Sequence, residues 1–294
     1  MTTASAPASA SATPPPRSLG KLPGTLTQAL LLSRYQFRDY LRARRFVLMM
    51  AIVAFIGAIL SYVLYYFNGA GLNTNGDAFY GTLWAGGVTV VIIFSGIIFG
   101  GDAIAGEFQN KTGYFLMGLP VKRTSVYVGK FLAAFAASVV AVLVYLVILL
   151  ANGSRYLGVA NAFPVSLFES FAIALLYMLA LLGAVFLFSS MFKNSLYAVL
   201  VVAVLFLFGF TLIQDLISGL VKIEPWFIIT YAQNVISYPF LSSLPAHVVM
   251  TPTPRGNSIT TYNPTYAEGF AVMIGYFVLT ALGGLALFER EEFT

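Results

Sequence analysis

Side chains able to do acid–base or metal chemistry are sparse in this chain: one histidine, no cysteine and 11 acidic residues among 294. The lone His247 leaves no histidine pair for zinc and no histidine-based triad inside an apolar segment, so it reads as a polar loop residue. Without cysteine, disulfides, thiol catalysis and thiolate metal sites are excluded. No Gly-x-x-x-x-Gly-Lys-Ser/Thr run occurs, so the chain carries no P-loop for ATP. Asp102 and Glu107 stand five residues apart, on different faces of one helix, and do not make paired acids. Glu169, Asp215 and Glu268 fall near the outer ends of apolar segments, where interfacial water reaches them. That placement argues against an ion relay at the membrane centre. No catalytic, cofactor-binding or metal-binding residue is assigned, and a membrane enzyme fits poorly.

The elements that must position these few polar groups are apolar helices. Hydrophobic residues make up 59% of the chain and charged residues only 9%, far from the balance of a soluble domain. A hydrocarbon core about 30 Å thick needs roughly 20 apolar residues of helix. Six stretches meet that length: Phe46 to Phe67, Phe79 to Gly100, Val126 to Leu150, Leu167 to Met191, Leu196 to Leu220 and Tyr266 to Phe288. Their lengths and lack of short alternation predict an all-α integral membrane protein, not a barrel. Placing both termini in the cytoplasm leaves only Arg155, Lys222 and Arg255 of the 16 basic residues on the opposite side. The positive charge therefore reads as multi-pass topology in the cell membrane and contact with anionic lipid, not as a nucleic-acid site.

Residues 1–22 are mostly Ala, Ser, Thr and Pro and are expected to be disordered. Over 23–45, Leu26, Leu30, Phe37 and Leu41 recur beside Arg34, Arg38, Arg42 and Arg45, which predicts an amphipathic helix in the cytoplasmic interface. Thr25-Leu26-Thr27-Gln28 fits a capping box for it. The six-helix transmembrane body then occupies 46–294. An apolar outer segment around 223–250 is broken by Pro225, Pro239 and Pro245 and carries Gln233 and Asn234 at its middle. It reads as a re-entrant helical hairpin capping a pathway, not as a seventh span. In the second span Gly96 and Gly100 offer a face for close helix packing. In the fifth, Phe206, Phe210 and Ile213 share one face at i, i+4 and i+7, a candidate pathway lining. Asn152-Gly153-Ser154 fits a glycosylation pattern in an outer loop.

The loop between the second and third spans is the most specific stretch. A polar helix over about 101–113, containing Glu107, Phe108, Lys111 and Thr112, is followed by Leu119-Pro120-Val121-Lys122-Arg123 and then by Gly129-Lys130 at the start of the next span. With the interfacial helix, the six spans and the broken hairpin, this resembles the type-2 permeases of the ATP-binding-cassette (ABC) exporters. The resemblance implies that the short cytoplasmic helix seats in a groove of a separate ATPase subunit that binds ATP and Mg. It also implies that two permease copies, or a copy and a paralogue, surround one pathway. Glu107, Phe108, Lys111 and Thr112 are then the expected ATPase-coupling residues, with Ile104, Phe108 and Phe115 as apolar anchors and Glu107 and Lys111 at i, i+4 on the exposed face. No cofactor is expected in this chain. A self-sufficient channel or secondary transporter, and more remotely a membrane-embedded enzyme or scaffold, are the alternatives.

Overall fold

The computed structural model describes residues 24–69, 75–110, 121–252 and 258–290. The expected tail over 1–22, and Lys111, Thr112, Phe115, Leu119 and Pro120 of the polar loop, lie outside the described residues. In chain order the elements are α1 (Thr25–Arg42), α2 (Arg44–Tyr66), α3 (Gly76–Gly100), α4 (Ala105–Gln109), α5 (Arg123–Leu157), α6 (Val165–Met191) and α7 (Ser195–Val221). They are followed by α8 (Ile229–Ala232), a 3-10 stretch (Gln233–Phe240), strands β1 (Val248–Pro252) and β2 (Ser258–Tyr262), and α9 (Tyr266–Arg290).

Among the described residues six helices, α2, α3, α5, α6, α7 and α9, are long and apolar enough to cross a membrane. They alternate in direction, so the bundle has an α1 end, where α3 gives way to α4 and α5 begins, and a far end, where α7 gives way to α8 and α9 begins. Helices α3, α5 and α6 form the core, while α2, α7 and α9 leave most of their surface exposed. The α3–α6 contact depends on missing side chains. A Cβ at Gly96 would sit 2.4 Å from Leu181 Cδ2, and one at Gly100 would sit 2.8 Å from Val185 Cγ1. Bare backbone lets the two helices approach, which is the packing role expected of that glycine pair.

Helix α5 has 35 residues, about 52 Å at 1.5 Å per residue, and so runs well past the expected span. Its last turns contain Asn152-Gly153-Ser154, which is therefore helical and not a loop. The Asn152 amide donates to Ser61 Oγ (2.8 Å) and to the Ile148 carbonyl (2.9 Å), tying α5 to α2.

Helix α1 starts as expected but is capped differently. Gly24 is its N-cap and no side-chain cap bond forms. The Gln28 side chain is buried and accepts from the Lys122 amide instead (3.4 Å), so tertiary contact displaces the capping box. Gly129 lets the α1 and α5 backbones meet, since a Cβ there would lie 2.8 Å from Leu32 Cβ and 3.0 Å from the Ala29 carbonyl. Leu26, Leu30 and Leu41 remain exposed, whereas Phe37 packs against the core and leaves the expected apolar stripe.

The segment between α7 and α9 also departs from expectation. It has one helical arm, Ile229 through Phe240, and then an antiparallel ribbon that pairs Val248 with Tyr262 and Met250 with Thr260. A second helical arm is prevented where Pro245 lacks a donor and holds its predecessor extended. The β-branched residues Val248, Val249, Thr260 and Thr261 favour the paired strands that follow. The helical arm is fixed to the core by a relay: Trp84 Nε1 donates to Ser170 Oγ (2.9 Å), and that hydroxyl donates to the Ile236 carbonyl (2.5 Å).

Candidate functional site

The described part of the linker after α3, residues 101–110, is held by five helices. Residues 101–104 are turns, and only α4, five residues long, is regular helix among the described part of the loop. The first amides of α4 have no partner within so short a helix. Ser189 of α6 supplies one: its Oγ accepts from the Ile104 amide (3.1 Å) and the Ala105 amide (3.2 Å). Lys130 of α5 donates to the Ala103 carbonyl (2.8 Å) and forms a hydrogen-bonded ion pair with Glu107. Arg45 of α2 pairs with Asp102 at 2.8 Å. The Gln109 side-chain oxygen accepts from the Ser195 amide at the start of α7 (2.7 Å). On the remaining side the Phe108 ring meets Phe288 of α9 edge-on, with centroids 6.4 Å apart.

This geometry revises the expected docking face. Asp102 and Glu107 do not share one helix as expected, since Asp102 lies in the turn before α4; they take different partners, Arg45 and Lys130, while lining the same cleft. Glu107 reaches back into the bundle to Lys130, and Lys111 lies outside the described residues. Ile104 is fully buried and is not a docking anchor, and Phe108 is half-buried against Phe288. The exposed residues here are Gln109 at the end of α4 and Asn110 just after it. Beside the segment lies a polar cleft of about 210 Å³, lined among others by Gln36, Asp39, Tyr40, Asp102, Glu107 and Lys130. Tyr40 donates to the Phe99 carbonyl (2.9 Å), and burial, reinforced by the Asp102 charge, pushes its hydroxyl pKa upward. It therefore stays protonated and donates.

The three candidate pathway residues do not share an environment. A π-helical stretch, Leu205–Gly209, shifts the face on which i, i+4 and i+7 would align. Phe206 is buried and meets the Phe210 ring edge-on at 5.0 Å, while Ile213 is exposed.

At the far end the structure assembles a cluster with no local signal in the sequence. His247 Nε2 lies 3.3 Å from a Glu224 carboxylate oxygen, and His247 Nδ1 lies 3.9 Å from Glu268. Glu268 also caps α9, accepting from the Thr265 amide (2.7 Å) while its own amide donates to Thr265 Oγ1 (3.3 Å). The pattern Thr265-x-x-Glu268 is the signal that reveals this cap. Nothing comparable links Glu224 to His247. Likewise Ser189, Gln109 and Arg45 join the α4 segment across 57 to 86 residues of sequence, and only folding brings them there.

Among the described residues, six helices long and apolar enough to cross a membrane, a buried three-helix core and a polar linker pinned across their ends define a multi-pass α-helical membrane protein. A family model described as ABC-2 family transporter protein matches residues 30–293, and the chain belongs to that family. No curated protein matches it.

Proposed function

We propose that this chain is the permease subunit of an ATP-driven exporter, forming the translocation pathway and moved by a separate ATPase subunit that grips the 101–120 linker. The observation that carries this reading is the way the linker is tied to the bundle. A load applied near α4 passes directly to α5 through Lys130, to α6 through Ser189, to α2 through Arg45 and to α7 through Ser195. Helix α6 extends the connection. Ser189 holds the linker and Ser170, 19 residues or about 28 Å along the helix, holds the arm at the far end. One rigid element therefore joins the place where a motor would push to the segment that caps the opposite mouth.

In this reading the α1 end faces the cytoplasm with both termini, where the basic residues gather, and α1 lies along the lipid interface. ATP and Mg belong to the partner ATPase. The exposed surfaces of α2, α7 and α9 face lipid or a second permease copy. Glu107, Phe108, Lys111 and Thr112 remain the residues assigned to coupling, with Glu107 setting the linker's position through Lys130 while its neighbours meet the ATPase. Replacing Glu107 and Phe108 together with alanine leaves the permease inserted but abolishes substrate-stimulated ATP hydrolysis in the assembled complex. Unchanged stimulation rejects the assignment. Co-purification of a nucleotide-binding protein in mild detergent separates this reading from a self-sufficient channel.

A further inference from the structure

Glu224, His247 and Glu268 come from three different elements: the turn after α7, the loop before β1, and the first turn of α9. One oxygen or nitrogen ligand atom from each lies within 4.8 Å of the others. The histidine geometry is informative. Nδ1 lies 2.9 Å from the Asn263 carbonyl oxygen, and because a carbonyl only accepts, Nδ1 carries the proton. In the neutral ring Nε2 is then a bare lone pair, and it faces a Glu224 carboxylate oxygen 3.3 Å away. Two acceptors turned toward each other are satisfied by a proton on Nε2, giving an imidazolium–carboxylate pair, or by a metal ion held between them. The third carboxylate, of Glu268, beside them adds a ligand for the latter.

We infer that these three side chains bind a divalent transition-metal ion of the zinc type, at a site distinct from the linker and independent of the ATPase reading. Two ligands about 2.0–2.1 Å from a tetrahedral zinc stand roughly 3.3–3.4 Å apart, which is the spacing of His247 Nε2 and Glu224. An imidazole among the ligands selects against calcium and magnesium, which take oxygen, and the absence of thiolate selects against copper(I). The outer groups match those that orient metal ligands: the Asn263 carbonyl holds Nδ1–H, and Tyr231 donates to the other Glu224 oxygen (2.6 Å). Burial, with the Glu224 hydrogen bond, pushes the Tyr231 hydroxyl pKa up and keeps it a donor. The Glu224 and His247 side chains are 26% and 41% exposed, so an ion reaches them from solvent and water completes the fourth position. Bound there, the metal staples the ends of α7 and α9 to the capping segment.

The test is zinc titration of the full chain in detergent, with any polyhistidine tag removed and prior chelator treatment, followed by calorimetry. Because the chain has no cysteine and no second histidine, the single site is easily assigned. One zinc per chain is expected, with affinity falling by more than about 100-fold in His247→Ala and by about 10-fold or more in Glu224→Gln and Glu268→Gln. All three variants should keep the wild-type circular dichroism spectrum. As a second measurement, zinc slows hydrogen exchange over 222–232 and 258–268 in the wild type but not in His247→Ala. Full one-to-one binding by His247→Ala, or no zinc uptake by the wild type, overturns the proposal. Slowed exchange that persists in His247→Ala does the same.

Discussion

Replacing Lys130 with methionine keeps most of the side-chain volume and removes the ammonium group. Glu107 then loses the Lys130 ammonium and the Ala103 carbonyl loses that donor. The two side chains are only 11% and 17% exposed, so water compensates poorly. Removing one partner of a buried ion pair costs about 3–5 kcal/mol, and the adjoining polar cleft places this pair at the lower end, about 3 kcal/mol. At about 1.4 kcal/mol per decade, that is on the order of a 100-fold rise in local opening of the linker. Combining Lys130→Met with Glu107→Gln also removes the carboxylate charge that Lys130 had balanced. What is then missing is closer to one neutral hydrogen bond, about 1 kcal/mol, so the double variant should be milder than the single. Hydrogen exchange read by mass spectrometry on peptides containing Ile104 and Ala105 measures both quantities, because those amides are held by Ser189 in the closed linker. An effect of Lys130→Met smaller than about 3-fold, or a double variant at least as open as the single, would refute the reasoning.

Ser189→Ala leaves the Ile104 and Ala105 amides without their acceptor, at a cost of about 1–3 kcal/mol. Exchange at those amides should rise by about 10-fold or more while the melting temperature of the whole bundle moves little, since the contact is local. Gly87→Ala tests the core: a Cβ there would lie 1.8 Å from Tyr145 Oη and 2.6 Å from its Cζ, so the ring must leave the Leu83 carbonyl it now donates to (2.6 Å). Overpacking at the top of the usual range plus that hydrogen bond gives about 4 kcal/mol, seen as loss of monodisperse protein on size-exclusion chromatography. Tyr145→Leu in the same chain should recover part of it.

Length and hydropathy alone determined the class and the six crossings, because burying a helical backbone in hydrocarbon demands about 20 uninterrupted apolar residues and few sequences meet that by accident. The Gly96 and Gly100 packing face was legible for a similar reason: it is a local pattern whose physical requirement lies within a few residues. Side-chain direction was not legible. Whether Glu107 reaches Lys130, whether Gln28 caps its own helix or the loop before α5, and whether Phe206 and Ile213 share a surface all depend on neighbours far away in the chain. Lys130 sits 23 residues from Glu107, Ser189 sits 85 from Ile104, and His247 meets carboxylates on two other elements. A polar side chain has several possible partners of comparable energy along its own helix. Only packing, by removing water from all but one of them, makes the choice.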